Sequence, residues 1–138
     1  MIVAQYSSAV TDVLRYTSVS ETKDFTKSYS QIIVALSRKG YNMIEVTNTL
    51  KDVSASYRGI NTLVQNARGY VFELQFHTKE SLEVKEKNHK LYEEQRLAST
   101  SKLRKLELDK TMRKNAQMIP TPAGIEKIGD IKNKNDKV

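Results

Sequence analysis

The 138-residue chain has no cysteine and no tryptophan. The absence of cysteine excludes a disulfide framework, a cysteine metal site and thiol redox chemistry, and it fits residence in the reducing cytoplasm. No apolar run approaches the length of a membrane span, so no membrane partner is expected. The first residues, MIVAQYSSAV, lack the basic start and longer apolar stretch of a signal peptide. Only two prolines occur, Pro120 and Pro122, and they sit together where they stop helix formation. No aromatic residue follows Tyr92, so the last third of the chain offers nothing on which a base could stack. No internal repeat is visible.

What is present is positive charge, unevenly spread. The formal net charge is +7, and residues 101–138 hold 10 Lys/Arg against 5 Asp/Glu. Residues 79–100 balance at 5 and 5. A basic end of this kind contacts phosphates nonspecifically, on nucleotides or on RNA. The plainer reading is a solvated helix and tail. The length suits one domain with a modest core.

Residues 1–11 predict only a short helix or a frayed end. Thr11 and Asp12 introduce Val13–Val19, rich in β-branched and aromatic residues, which reads as a strand. Ser20 or Thr22 then offers N-cap chemistry. Phe25, Tyr29, Ile32, Ile33 and Leu36 recur at helical spacing, and Gly40 is a stop. Tyr41–Leu50 reads as a second strand and 51–56 as a polar loop. Tyr57–Thr78 reads as two antiparallel strands around the turn Gln65-Asn66-Ala67-Arg68-Gly69. A helix follows, weakens at Ala98–Ser101, and resumes to about Met118. The order strand, helix, strand, strand, strand, helix predicts an α+β domain with a mostly antiparallel, mixed sheet flanked by helices.

The last strand alternates. Phe72, Leu74 and Phe76 point one way; Val71, Glu73, Gln75 and His77 point the other. A half-exposed strand is the plain explanation. The functional one is a carboxylate, an amide and an imidazole lined up at two-residue spacing. A carboxylate backed by an apolar layer needs a partner, such as a metal or a base.

The residue string narrows this choice. Tyr57-Arg58-Gly59-Ile60-Asn61 followed by Glu73-Leu74-Gln75-Phe76-His77-Thr78 resembles the Tyr-x-Ser-x-His and Glu-Val-Gln-Ile-Arg-Thr segments of the RelA/SpoT synthetase domain. It is most similar to a divergent branch associated with bacteriophage and toxin-like proteins. The resemblance runs from about Asp12 to Arg96, and the two motifs at this separation are moderately specific. It implies a nucleotidyltransferase-like domain over 1–118 (core 12–98) and a flexible basic tail over 119–138. It also implies transfer of pyrophosphate from ATP to the 3′-hydroxyl of a purine nucleotide or a tRNA 3′ end, with Mg2+ as cofactor.

By that resemblance Asp12 and Glu73 are the metal ligands and catalytic carboxylates, Glu73 activating the acceptor hydroxyl. Tyr57 would stack on a purine. Asn61 stands where the family has a His and cannot carry a proton; His77 stands where it has an Arg. Arg58, Gln75, His89, Tyr92 and Arg96 complete the candidate substrate-binding set, the last three sharing one helix face. The Gly and the final Arg of the family's Asp-Ile-x-Gly-x-Arg strand are not kept in place, Arg15 being nearest. Only eleven residues precede Asp12, none of them Arg or Lys, whereas the family binds the ATP phosphates with a basic upstream segment. Either the chain is part of a longer protein, or Arg58, Lys51 or the basic C-terminal helix substitutes, or ATP is no longer bound. Two alternatives stand beside the enzyme. One is a binding-only remnant whose partner is nucleotide, RNA or a protein such as an immunity protein. The other is a ribonuclease using His77 and His89.

Overall fold

The computed structural model describes residues 2–6, as backbone, and residues 14–134 in full. Five strands and three helices follow in the order β1 (Ile2–Tyr6), β2 (Leu14–Ser20), α1 (Phe25–Arg38), β3 (Asn42–Asn48), β4 (Ile60–Gln65), β5 (Val71–Thr78), α2 (Lys79–Gln95) and α3 (Lys102–Gln117). The strands form one mixed sheet in the order β1-β2-β5-β4-β3. β2 and β5 run parallel, with Arg15 opposite Glu73, and the other pairs are antiparallel. The α+β architecture is therefore the one expected. The start of the chain differs from expectation: residues 2–6 are an edge strand paired to β2, not a helix.

The core lies on the apolar face of β5. Leu74 and Phe76 are buried there beside Ile60 and Val64 of β4, Val46 of β3 and Phe25 of α1. Phe76 meets the Tyr29 ring edge-on at 4.7 Å, and Phe72 meets Tyr16 at 5.4 Å. Each fully buried side chain of this size stabilises by roughly 1.5–3 kcal/mol. Neither Ser20 nor Thr22 caps α1. A short 3-10 turn (Thr22–Asp24) precedes the helix, and the Thr22 hydroxyl donates to Glu80 at 2.8 Å instead. Gly40 ends α1 with φ +85°, which a side-chain-bearing residue rarely adopts. In the β4–β5 turn, Gly69 has φ +89° and Asn66 Oδ1 accepts from the backbone N–H groups of Arg68 and Tyr70.

The segment after α3 is not a flexible tail as far as residue 134. Ile119, Ile125 and Ile128 enter the core. Asn48 Nδ2 donates to the carbonyls of Ile125 (3.1 Å) and Ile128 (2.9 Å), and Ile131 pairs with Val46 at the β3 edge. The lysine-rich composition concealed isoleucines spaced to reach inward. Arg58 fastens this segment. It is 2% exposed and donates to the carbonyls of Ala116, Ile119 and Leu50 and to the Thr121 hydroxyl. Its role is internal, which corrects its assignment to substrate binding.

At the β5–α2 junction Thr78 and Ser81 form a capping box. His77, fully buried, lies between this box and the hairpin. Its Nδ1 is 2.8 Å from Ser81 Oγ and its Nε2 is 3.0 Å from the Tyr57 hydroxyl. Gly59 is packed so close that a Cβ there would stand 2.5 Å from His77 Cε1. Burial, then the charge of Lys85, pulls the His77 pKa from 6.5 down to about 3.

Two outcomes are expected from this packing. Arg58→Ala leaves three buried carbonyls without their donor and should cost on the order of 3 kcal/mol in urea unfolding. Amide hydrogen exchange should rise in residues 116–131 before it rises in β5. For His77 the folded pKa is depressed, so between 6.5 and about 3 the unfolded chain binds a proton that the folded chain does not. Stability is therefore full above pH 6.5 and falls as pH drops, by roughly 2 kcal/mol from pH 7 to 5. Urea unfolding at both pH values should show this loss, and His77→Gln should remove most of it.

Candidate functional site

The polar face of β5 is covered by α2, so its side chains find partners inside the protein. The parallel register sets Arg15 of β2 beside Glu73. Arg15 donates from Nε (3.0 Å), and its Nη2 lies 2.9 Å from the same oxygen, Oε2. Gln75 Nε2 donates to the other carboxylate oxygen at 2.8 Å. Lys85 Nζ, reaching across from α2, donates to Gln75 Oε1 at 2.8 Å. The string Arg15–Glu73–Gln75–Lys85 thus crosses three elements. Burial lowers the Lys85 pKa, with Arg15 adding to the effect, while Glu73 and Glu86 oppose it.

A second string starts at Tyr57. Its hydroxyl donates to Asn61 Oδ1 at 2.7 Å. The same phenol oxygen lies 3.0 Å from His77 Nε2, and His77 Nδ1 lies 2.8 Å from Ser81 Oγ. Tyr57 meets the His77 ring edge-on at 5.7 Å. Burial pushes the Tyr57 phenol far above its usual pKa. The two strings fix Tyr57, Asn61 and Gln75 along one wall of a cleft.

That cleft has a volume of about 450 Å³, within the range of small-ligand sites. Its lining includes Arg15 and Lys85, the rings of Tyr57 and Tyr92, and the amides of Asn61 and Gln75. No Asp or Glu lines it among the described residues. Asn88, buried on α2, donates to Met112 O at 3.1 Å and accepts from Asn115 at 2.8 Å, which ties α3 across the far side.

The structure brings together Tyr57, Asn61, Gln75, His89 and Tyr92 of the expected set. Arg58 touches the cleft wall, but its terminal nitrogens are spent on the C-terminal segment. Glu73 lies behind Arg15 and Gln75, its side chain 18% exposed. Arg96 sits over the outer face of Tyr92, 5.9 Å from the ring centre, and outside the cleft lining. His77 is interior and His89 is on the helix surface, 3.7 Å from Glu93, so they do not form an open histidine pair. The histidine ribonuclease loses its geometry on that ground. Asp12 lies outside the described residues.

Arg15 and Lys85 were missed as site residues. Lys85 had a legible signal: Ser81, Lys85, Asn88, His89 and Tyr92 recur at three- and four-residue spacing on one face of α2. Arg15 had only its nearness to the arginine of the resembled strand motif, because its role follows from the parallel pairing of β2 with β5. Among the described residues no three acidic, histidine or cysteine side chains converge to hold a metal ion. Both oxygens of Glu73 are already hydrogen-bonded, so the described residues alone do not complete a magnesium site.

No protein-family model matches the sequence, and no curated protein does. Solved structures do match. A GTP pyrophosphokinase family protein from Streptococcus pneumoniae is 16% identical with a TM-score of 0.56, over 85% of this chain and 70% of that one. Small alarmone synthetase 2 from Bacillus subtilis is 12% identical with a TM-score of 0.55, over 81% of this chain and 72% of that one. Small alarmone synthetase 1 from Bacillus subtilis, in a structure bound to its product pppGpp, is 15% identical with a TM-score of 0.50, over 75% of this chain and 55% of that one. At such identities the likeness is one of fold, and the chain has the fold of these alarmone synthetases, as its RelA/SpoT-like motifs implied.

Proposed function

We propose that this chain transfers pyrophosphate from ATP to the 3′-hydroxyl of a purine nucleotide or of a tRNA 3′ end. The observation that carries the reading is the cleft itself. On a synthetase-type fold it combines cations, two tyrosine rings and hydrogen-bonding amides, and Glu73 stands just behind its wall. In the reaction the acceptor oxygen forms a bond to the β-phosphorus of ATP. The bond from that phosphorus to the α–β bridging oxygen breaks, and AMP leaves. The hydroxyl proton passes to Glu73. Tyr57 packs against the acceptor base, and Asn61 and Gln75 orient it.

Magnesium belongs to the proposal because charge on the ATP phosphates must be offset. A carboxylate is a suitable oxygen donor for it, so Glu73 with Asp12 would hold the ion. Glu73 would exchange its pair with Arg15 to do so. The tRNA acceptor, a toxin role, an immunity-protein partner and a cytoplasmic or phage-encoded setting rest on the motif resemblance alone. A binding-only role is the second reading, favoured by one observation: Glu73 is held by Arg15 and Gln75.

The deciding experiment supplies γ-labelled ATP and magnesium with GDP, GTP, ADP, AMP or bulk tRNA in turn. Label should enter one acceptor class, and chelation of magnesium should stop it. Glu73→Gln should lower the rate about 100-fold or more, the scale of a lost general base. Unchanged transfer by Glu73→Gln refutes the role of that residue. No transfer to any acceptor, by protein that still binds nucleotide, leaves the binding-only reading.

A further inference from the structure

We propose that Lys85, seconded by Arg15, holds the phosphates of the bound nucleotide, so that the cleft selects its ligand by phosphate charge. The inference rests on the reading of the cleft as a nucleotide site, and it assigns the cation that the sequence left unassigned.

Three observations converge on Lys85. The first is charge balance. Among the described residues, Lys85 and Arg15 line the cleft and no Asp or Glu does. Glu73, beside the cleft wall, is already paired with Arg15. The carboxylates that act on Lys85, Glu73 and Glu86, both lie outside the cleft lining. The second is the partner of Lys85. Its ammonium is half-buried, and the side chain bonded to it is the neutral amide of Gln75. A cation removed from water gains more from a charged acceptor than from an amide, and an anion in the cleft would supply one. The third is placement. Lys85 lies on the α2 face that also carries His89 and Tyr92, and it lines the same cleft as Arg15 and Tyr57.

Other cations lie outside the cleft lining or point away from it. Arg58 is committed to three carbonyls. Arg104, paired with Glu94, and Arg113, paired with Asp109, do not line the cleft. Lys51 is exposed on the loop after β3 and does not line the cleft. Lys85 is also not part of either motif that carries the RelA/SpoT resemblance, so nothing in those motifs assigns it this role.

A purely structural alternative exists: Lys85 could serve only to pin Gln75. The two roles separate by ligand. Calorimetry on the full chain would compare adenosine, AMP, ADP and ATP, the guanosine series, and inorganic pyrophosphate, at low and high salt. The unmutated protein should bind more tightly with each added phosphate and more weakly at high salt. Lys85→Gln should weaken ATP and pyrophosphate binding by about tenfold or more, the scale of a lost charge-assisted bond, and leave the nucleosides unchanged. Lys85→Arg should restore most of the loss. Thermal melts of each variant confirm the folded state.

Equal ATP affinity in folded Lys85→Gln overturns the proposal. So does an equal loss for nucleoside and triphosphate, or no binding of phosphorylated ligands by the unmutated protein. Lys85-dependent binding without label transfer leaves this inference standing and removes the enzyme reading. Transfer that is unimpaired in Lys85→Gln does the reverse.

Discussion

Strand β5 is buried from Leu74 to Thr78. β2 and β4 take its backbone hydrogen bonds, the core covers one face and α2 covers the other. Polar side chains on the covered face must therefore find partners within the protein, because a buried polar group without one costs a few kcal/mol. The two strings, Arg15–Glu73–Gln75–Lys85 and Ser81–His77–Tyr57–Asn61, answer that constraint. Each strings together residues far apart in sequence, and each ends on a residue of the cleft wall. The wall is thus positioned by the requirement that the strand beneath it be fully satisfied.

The same constraint decides which groups remain for a ligand. Buried, neutral and bonded at both nitrogens, His77 has no exchangeable role at the surface; it holds the Tyr57 phenol. Tyr57 in turn commits the Asn61 oxygen and leaves Asn61 its donors. Glu73 is shared between two donors, and Lys85 is left with a neutral partner. A wall built this way presents donors and positive charge, which suits a phosphorylated ligand better than a cationic or apolar one.

Much of this was legible in residues 57–78. The alternation of Phe72, Leu74 and Phe76 against Glu73, Gln75 and His77 located the core face and the site face together, because side chains on a strand repeat every two residues. The polar stripe of α2 was legible for the same kind of reason. The edge strand at residues 2–6 was not, since its pairing with β2 is a long-range choice that local propensity does not fix. The C-terminal segment was misread because composition outweighed spacing: Ile119, Ile125 and Ile128 sit among lysines and asparagines, and their depth depends on Arg58 and Asn48, some seventy residues earlier in the chain. Arg58 read as a substrate ligand for a related reason. An arginine beside a nucleotide-like motif looks available until the carbonyls it satisfies are known.

Asn61 and His77, where the sequence differs from the motifs it resembles, form one arrangement with Tyr57. An arginine at position 77 would put a permanent charge in a fully buried space, pressed against Gly59 and bounded by Ser81 and Tyr57. That space holds a neutral imidazole, and burial keeps the ring neutral over the whole physiological range. Buried and bonded at both nitrogens, the ring at 77 is closed to a ligand, whereas Arg15 and Lys85 line the cleft. Asparagine at 61 follows from the same geometry. It accepts the Tyr57 proton at 2.7 Å, where a histidine would have to present an acceptor nitrogen at the same place to keep the phenol fixed. Positions 61 and 77 are coupled through one hydroxyl, that of Tyr57, and α2 brings a cation, Lys85, to the same cleft.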